Sequence, residues 1–127
     1  MKFLELFKDW KDVVEFDTQT VIFPAGAPAE ALYFIISGEI ELSLYGETLS
    51  TERVGGIIGE MAMIPSATHC ATATTLSGVT LARFDHSQLK ELIDKNSEFS
   101  LHMMAILASR LRAVDKFIST QMSQSSN

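Results

Sequence analysis

The sequence predicts one mainly β domain of the sandwich, jelly-roll or barrel kind, with a helix before it and two helices after it. Short β-branched or aromatic runs from Val13 to Phe84 alternate with Gly, Pro, Asp and Ser punctuation. No helical period separates these runs, so parallel α/β folds, which need crossover helices, drop out. On either side of the β region the apolar period returns to that of a helix. A chain of 127 residues has the size of one domain with one core.

Phe3, Leu6, Phe7 and Trp10 recur at helical spacing and leave Lys2, Glu5, Asp9 and Lys11 on the other side, which predicts a short amphipathic helix. The runs VVEF, TVIF, ALYFIIS, EIELSLY, TLSTE, ATATT and VTLARF then predict seven or eight short strands over residues 13–84. The alternation is clean from Glu39 to Tyr45: Ile40, Leu42 and Leu44 share one face, and Glu39, Glu41 and Ser43 share the other.

Two helices follow over about residues 86–122, the first capped by Asp85 or Ser87 and the second opening at Ser97. The second carries two apolar stripes: Leu101, Met104, Ala108, Leu111, Ile118 and Met122, and Met103, Leu107, Val114 and Phe117. At about 1.5 Å per residue it is nearly 40 Å long, more than a small β domain covers, so part of it is expected to pack on a second copy. Arg110, Arg112 and Lys116, next to Asp115, read as a solvated face with local ion pairs. The folded domain is placed at residues 1–122, with 123–127 a disordered tail.

Composition narrows the function. A chain 46% apolar and 20% charged folds, and a formal charge of -6 opposes nonspecific binding to nucleic acid or anionic membranes. No apolar run approaches the roughly 18 residues of a membrane span. One cysteine, Cys70, forms no internal disulfide, and the charged start lacks the signature of a secretory signal, so a cytoplasmic location is expected. His69, His86 and His102 lack the spacing of a metal site, and no nucleophile elbow or triphosphate loop is present. Neither enzyme activity nor a bound cofactor is expected. Cys70 reads as a small buried hydrophobe, and Met61, Met63, Met103 and Met104 as core filling.

The most unusual stretch, GGIIGEMAMIPSATHCATAT at 55–74, resembles the phosphate-binding cassette of cyclic nucleotide-binding domains. VIFPAG at 21–26 and ALYFIISGEIELSLY at 31–45 look like the first strands of that family, and VTLARFDHSQLKELI like its closing strand and following helix. The resemblance covers about residues 5–120 and rests on the order of a Phe-x-x-Gly turn, a Tyr-x-Ile-x-x-Gly-x-Ile hairpin and a Gly-Glu-Met-Ala cassette. It implies a cyclic-nucleotide-binding-like β roll acting as a regulatory module, with cAMP or cGMP as possible ligand. The implied ligand-binding residues are Gly59, Glu60, Met61, Ala62, His69, Cys70 and Ala71.

Within the cassette, Gly59 lets backbone approach a ligand, and a short helix from Glu60 to Ala62 would aim N–H groups at an anion. An inward Glu60 would suit a ribose 2′-hydroxyl, the role the family gives this residue. The plainer reading is a turn and a solvated acid, as at the Gly-Glu steps of 38–39 and 46–47.

Family members that bind cyclic nucleotide usually carry an Arg nine or ten residues after that Glu, and here those positions are His69 and Cys70. Arg gives a permanent charge and a planar fork for phosphate, which neutral imidazole does not. Losing one partner of a desolvated charge pair costs about 2–5 kcal/mol, or roughly thirty-fold to several thousand-fold in affinity. Protonated His69, or the N–H groups of Cys70 and Ala71, could replace part of it, while the plain reading makes His69 a partly exposed loop residue. Two functions therefore compete: a weak sensor, and a ligand-free domain that docks or dimerises through helix 97–122. Regulators of the family add a helix-turn-helix after the long helix. The chain here stops at Asn127, so no direct DNA binding is expected.

Overall fold

The computed structural model describes residues 2–125 and builds two four-stranded antiparallel sheets, with the helices covering one of them and the last helix also reaching the other. The strands are β1 (Val13–Phe16), β2 (Val21–Phe23), β3 (Leu32–Ser37), β4 (Ile40–Leu44), β5 (Glu47–Glu52), β6 (Ile57–Ile58), β7 (Thr72–Thr75) and β8 (Val79–Phe84). The sheet orders are β1-β8-β3-β6 and β2-β7-β4-β5, so neighbours in space are distant in sequence, as in a jelly roll. The mainly β roll with flanking helices predicted from sequence is the fold observed.

One sheet is buried on both faces, which accounts for the continuous apolar run of β3. Leu32 and Phe34, with Ala82 and Phe84 of β8, face the helices, where Phe7, Leu89, Leu92, Phe99 and Met103 complete one core cluster. Ile35, Val79 and Leu81 face the second sheet and join Phe23, Ile40, Leu42, Ala71 and Ala73 in another. Ile57 and Ile58 of β6 divide between the two clusters, and this two-residue strand, read from sequence as part of the cassette, pairs with Tyr33 and Phe34.

The N-terminal helix is a 3-10 helix, Lys2–Phe7. Over six residues its apolar period does not differ from that of an α-helix, and its task is anchoring: Phe7 stacks on Phe34 at 4.4 Å, and the Trp10 indole donates to Arg83 O at 2.7 Å. Helix α1 (His86–Lys95) opens on a capping box in which Asp85 accepts from Gln88 N and Gln88 accepts from Asp85 N.

Helix α2 (Ser97–Ser125) is about 44 Å long at 1.5 Å per residue. It runs three residues past Met122, through part of the predicted tail, because neither Gly nor Pro interrupts it. Residues 126 and 127 lie outside the described residues. Its inner face buries Phe99 and Met103, while Leu101, Met104, Leu111 and Ile118 of the other stripe are exposed. Met104 is thus surface, and Met61 and Met63 are half-buried, so core filling holds fully for Met103 alone of the four.

Candidate functional site

The cassette is shaped by Gly59, whose φ of +79° is left-handed and whose hypothetical Cβ would meet Ala31 O at 2.7 Å. This close approach is to the protein's own backbone. A 3-10 helix, Glu60–Met63, follows and turns Glu60 inward. Met61 lines the cavity described below, whereas Ala62, predicted to do the same, packs with Met63 on the helix-side cluster.

Glu60 meets Arg110 of α2, with Nη1 donating to Oε2 at 2.7 Å. The Nη2 of the same guanidinium donates to Glu52 Oε1 at the end of β5 and to Ile57 O at 2.7 Å. The expected solvated face is corrected here: Arg110 is only 8% exposed and bridges two carboxylates, while Arg112 and Lys116 stay exposed. A buried guanidinium persists only when paired, and these partners explain its burial. The Arg110 Nε is buried without a partner, as is the nearby cavity-lining Ser50 Oγ. Farther back along α2, His102 Nε2 donates to Gly55 O at 2.7 Å, a second polar tie between the helix and the segment leading into the cassette.

His69 is corrected as well, being buried rather than partly exposed. Its ring stacks on Phe23 with centroids 3.6 Å apart, and its backbone is held by Gly26 N→His69 O at 2.8 Å and His69 N→Ala27 O at 2.9 Å. Burial lowers its pKa below the ordinary imidazole value, partly opposed by the Glu60 carboxylate, so a protonated His69 is disfavoured as a substitute for Arg. Cys70, expected to be buried, is exposed, and Ala71 is buried beside it. Partial burial of the thiol and the Glu60 charge raise the Cys70 pKa, outweighing a backbone hydrogen bond and Arg110, which keeps it a poor nucleophile at neutral pH.

The His69 shift has a consequence for stability. A base whose folded pKa is depressed binds fewer protons folded than unfolded, so its stabilisation is complete above the unfolded value near 6.5 and lost as pH falls through the folded value. Urea denaturation of wild type and His69→Phe at pH 7.5 and 5.5 is expected to show the smaller acid loss in the variant. Equal losses would mean that the buried ring is not the titrating group.

These residues converge on a cavity of about 30 Å³, lined by Phe23, Leu42, Leu49, Gly59, Glu60, Met61, His69, Cys70, Ala71 and Val114 together with Ser50 and Arg110. That is room for roughly two water molecules, so a larger ligand requires α2 or the cassette to give way. The cavity brings together six of the seven predicted residues and adds Arg110, Glu52 as its counter-ion, and Ser50. Sequence reasoning missed all three, and α2 carries the decisive one. Among the described residues no group of three or more His, Cys, Asp and Glu is placed to hold a metal ion.

Residues 13–96 match the family described as "Cyclic nucleotide-binding domain". The chain belongs to this family. The match ends one residue before α2, so Arg110 lies outside it. Among curated proteins, a CRP-like cAMP-activated global transcriptional regulator of Mycobacterium tuberculosis is 27% identical over 104 residues, covering 78% of this chain and 46% of the regulator. The chain thus spans about half the length of that curated relative.

Among solved structures, the c-di-GMP responsive global regulator CLP of Xanthomonas campestris superposes with a TM-score of 0.78 at 23% identity, covering 93% of this chain and 62% of that one. The catabolite activator protein of Thermus thermophilus gives 0.73 at 23%, covering 95% and 59%. At these identities the likeness is one of fold. No helix among the described residues is long and apolar enough to cross a membrane.

Proposed function

We propose that this domain is a non-enzymatic regulatory module that binds a cyclic nucleotide, or a related small anionic ligand, in the roll cavity and reports occupancy through α2. The observation that carries this reading is the Glu60–Arg110 pair, which joins the cassette acid directly to the long helix. A ribose hydroxyl that hydrogen-bonds Glu60 competes with Arg110 for the same carboxylate, so filling the cavity and holding α2 in place are linked. Binding is weak, because neither buried, neutral His69 nor the Cys70 thiol supplies the charge that phosphate recognition uses. Calorimetric titration with cAMP and cGMP tests it: saturable binding of either is expected, abolished in Glu60→Ala. No heat and no melting-temperature shift with either nucleotide would leave the second reading.

That second reading, a docking or dimerisation module, draws on the outer face of α2. Leu101, Met104, Leu111 and Ile118 are spaced three and seven apart and all exposed, the seam of a helix that pairs with a copy of itself. The two readings are compatible, since a paired α2 can carry the signal. Sedimentation is expected to give a dimer for wild type at tens of micromolar and a monomer for Leu111→Glu, which places a charge mid-seam. A monomeric wild type would remove dimerisation.

A further inference from the structure

Three charges meet at Arg110: its guanidinium and the carboxylate of Glu60, both lining the cavity, and the carboxylate of Glu52, which reaches the guanidinium from the end of β5 without lining the cavity. Their formal sum is one negative charge, set where both acids are mostly shielded, with side chains 21% and 16% exposed. Among the described residues, no other cation on the facing elements offsets it. His69 is held neutral, Arg53 is exposed and paired with Glu39 at 2.8 Å, and Arg112 and Lys116 are exposed. An incoming phosphodiester therefore meets a site already one carboxylate in excess.

The resemblance gives Glu60 a role and Glu52 none, and strand pairing does not call for a carboxylate at position 52. It closes β5 opposite Ile40, a position that asks only for a backbone able to pair. The charged end instead occupies Nη2 of the guanidinium, which Ile57 O shares, while Nε is left without a partner. We infer that Glu52 is a built-in competitor for Arg110, a specificity residue that holds the cavity shut to anions until a ligand displaces it. This rests on the reading of the cavity as the ligand site. It makes Glu52 a positioning residue that acts through Arg110, setting how much of that cation a ligand finds free.

The test compares wild type, Glu52→Gln and Glu52→Asp by calorimetry, each with cAMP, cGMP and the uncharged nucleosides adenosine and guanosine. Gln keeps the shape of Glu and an acceptor for Nη2 without the charge, and Glu52→Thr, in keeping with the Ser and Thr content of β5, repeats the neutralisation in a second background. The expected result is a gain of about tenfold or more in cyclic-nucleotide affinity for Gln and Thr, no gain for Asp, and nucleoside affinity within about twofold of wild type throughout. A structural loosening would move nucleosides as well and would overturn the inference. Equal cyclic-nucleotide binding by wild type and both neutral variants overturns it while leaving the proposed function intact. Silence from every protein with every ligand overturns both, and binding by the neutral variants over a silent wild type supports the inference while removing cyclic nucleotide as the ligand of the wild type.

Discussion

Arg110→Met is expected to lower stability by about 3–5 kcal/mol, the cost of leaving buried carboxylates without their counter-ion. At the entropy of unfolding of a chain of this size, that is a fall in melting temperature on the order of 10 °C or more. The magnitude follows from burial: the Arg110 side chain is 8% exposed, so its interactions are little screened by solvent. Methionine fills much of the same volume, which separates loss of charge from loss of packing. Adding Glu52→Gln and Glu60→Gln to Arg110→Met is expected to restore most of the loss, because a neutral cluster leaves no orphaned charge. Thermal denaturation followed by circular dichroism measures both steps. A loss under about 1 kcal/mol in the single variant would return Arg110 to the solvated role its neighbours suggest.

Why Arg110 escaped the sequence, and what could have found it, is a matter of helical geometry. Its neighbours Arg112, Asp115 and Lys116 are exposed, and its partners lie 50 and 58 residues away on other elements. Position 110 is nevertheless in register with Met103, Leu107, Val114 and Phe117, the stripe that turns inward. A charged residue on an apolar stripe is the informative exception, since lysine, arginine and acids are buried almost only when paired. Stripe membership was legible in the sequence. The pairing with Glu60, and Glu52 altogether, were not, because strand ends and a four-residue 3-10 helix carry no periodic signal.

The β roll was legible for the opposite reason. Alternation in β4 and punctuation between runs are local, and each of the seven runs in the sequence reading has its strand in the structure, which adds the two-residue β6. What local pattern does not reveal is which face of a strand meets which layer. Leu32, Phe34 and Ile35 belong to two different cores although they form one apolar run. The long-range tie of Thr75, which donates to Asp17 O at 2.6 Å and accepts from Thr20 N at 2.8 Å, is likewise invisible in the composition of β7.

The parity of β7 separates residues 69 and 70. Ala71, Ala73 and Thr75 are buried, and extending the same alternation backward turns His69 inward and Cys70 outward, as observed. Cys70→Arg therefore places a guanidinium at the rim of the cavity, where its charge cancels the excess carboxylate and its fork is free for an oxyanion. The expected gain in cAMP affinity is roughly thirty-fold to several thousand-fold, the range for supplying one partner of a desolvated charge pair. Cys70→Lys, a point charge without the fork, should recover less of it. His69→Arg is expected to gain less and to cost stability, because position 69 is buried under the Phe23 ring and a longer charged side chain there disturbs that stacking. Calorimetry and melting curves on the three variants separate the positions. A gain at 69 with none at 70 would mean that the ligand enters from the Phe23 side and that strand parity does not set the anchor.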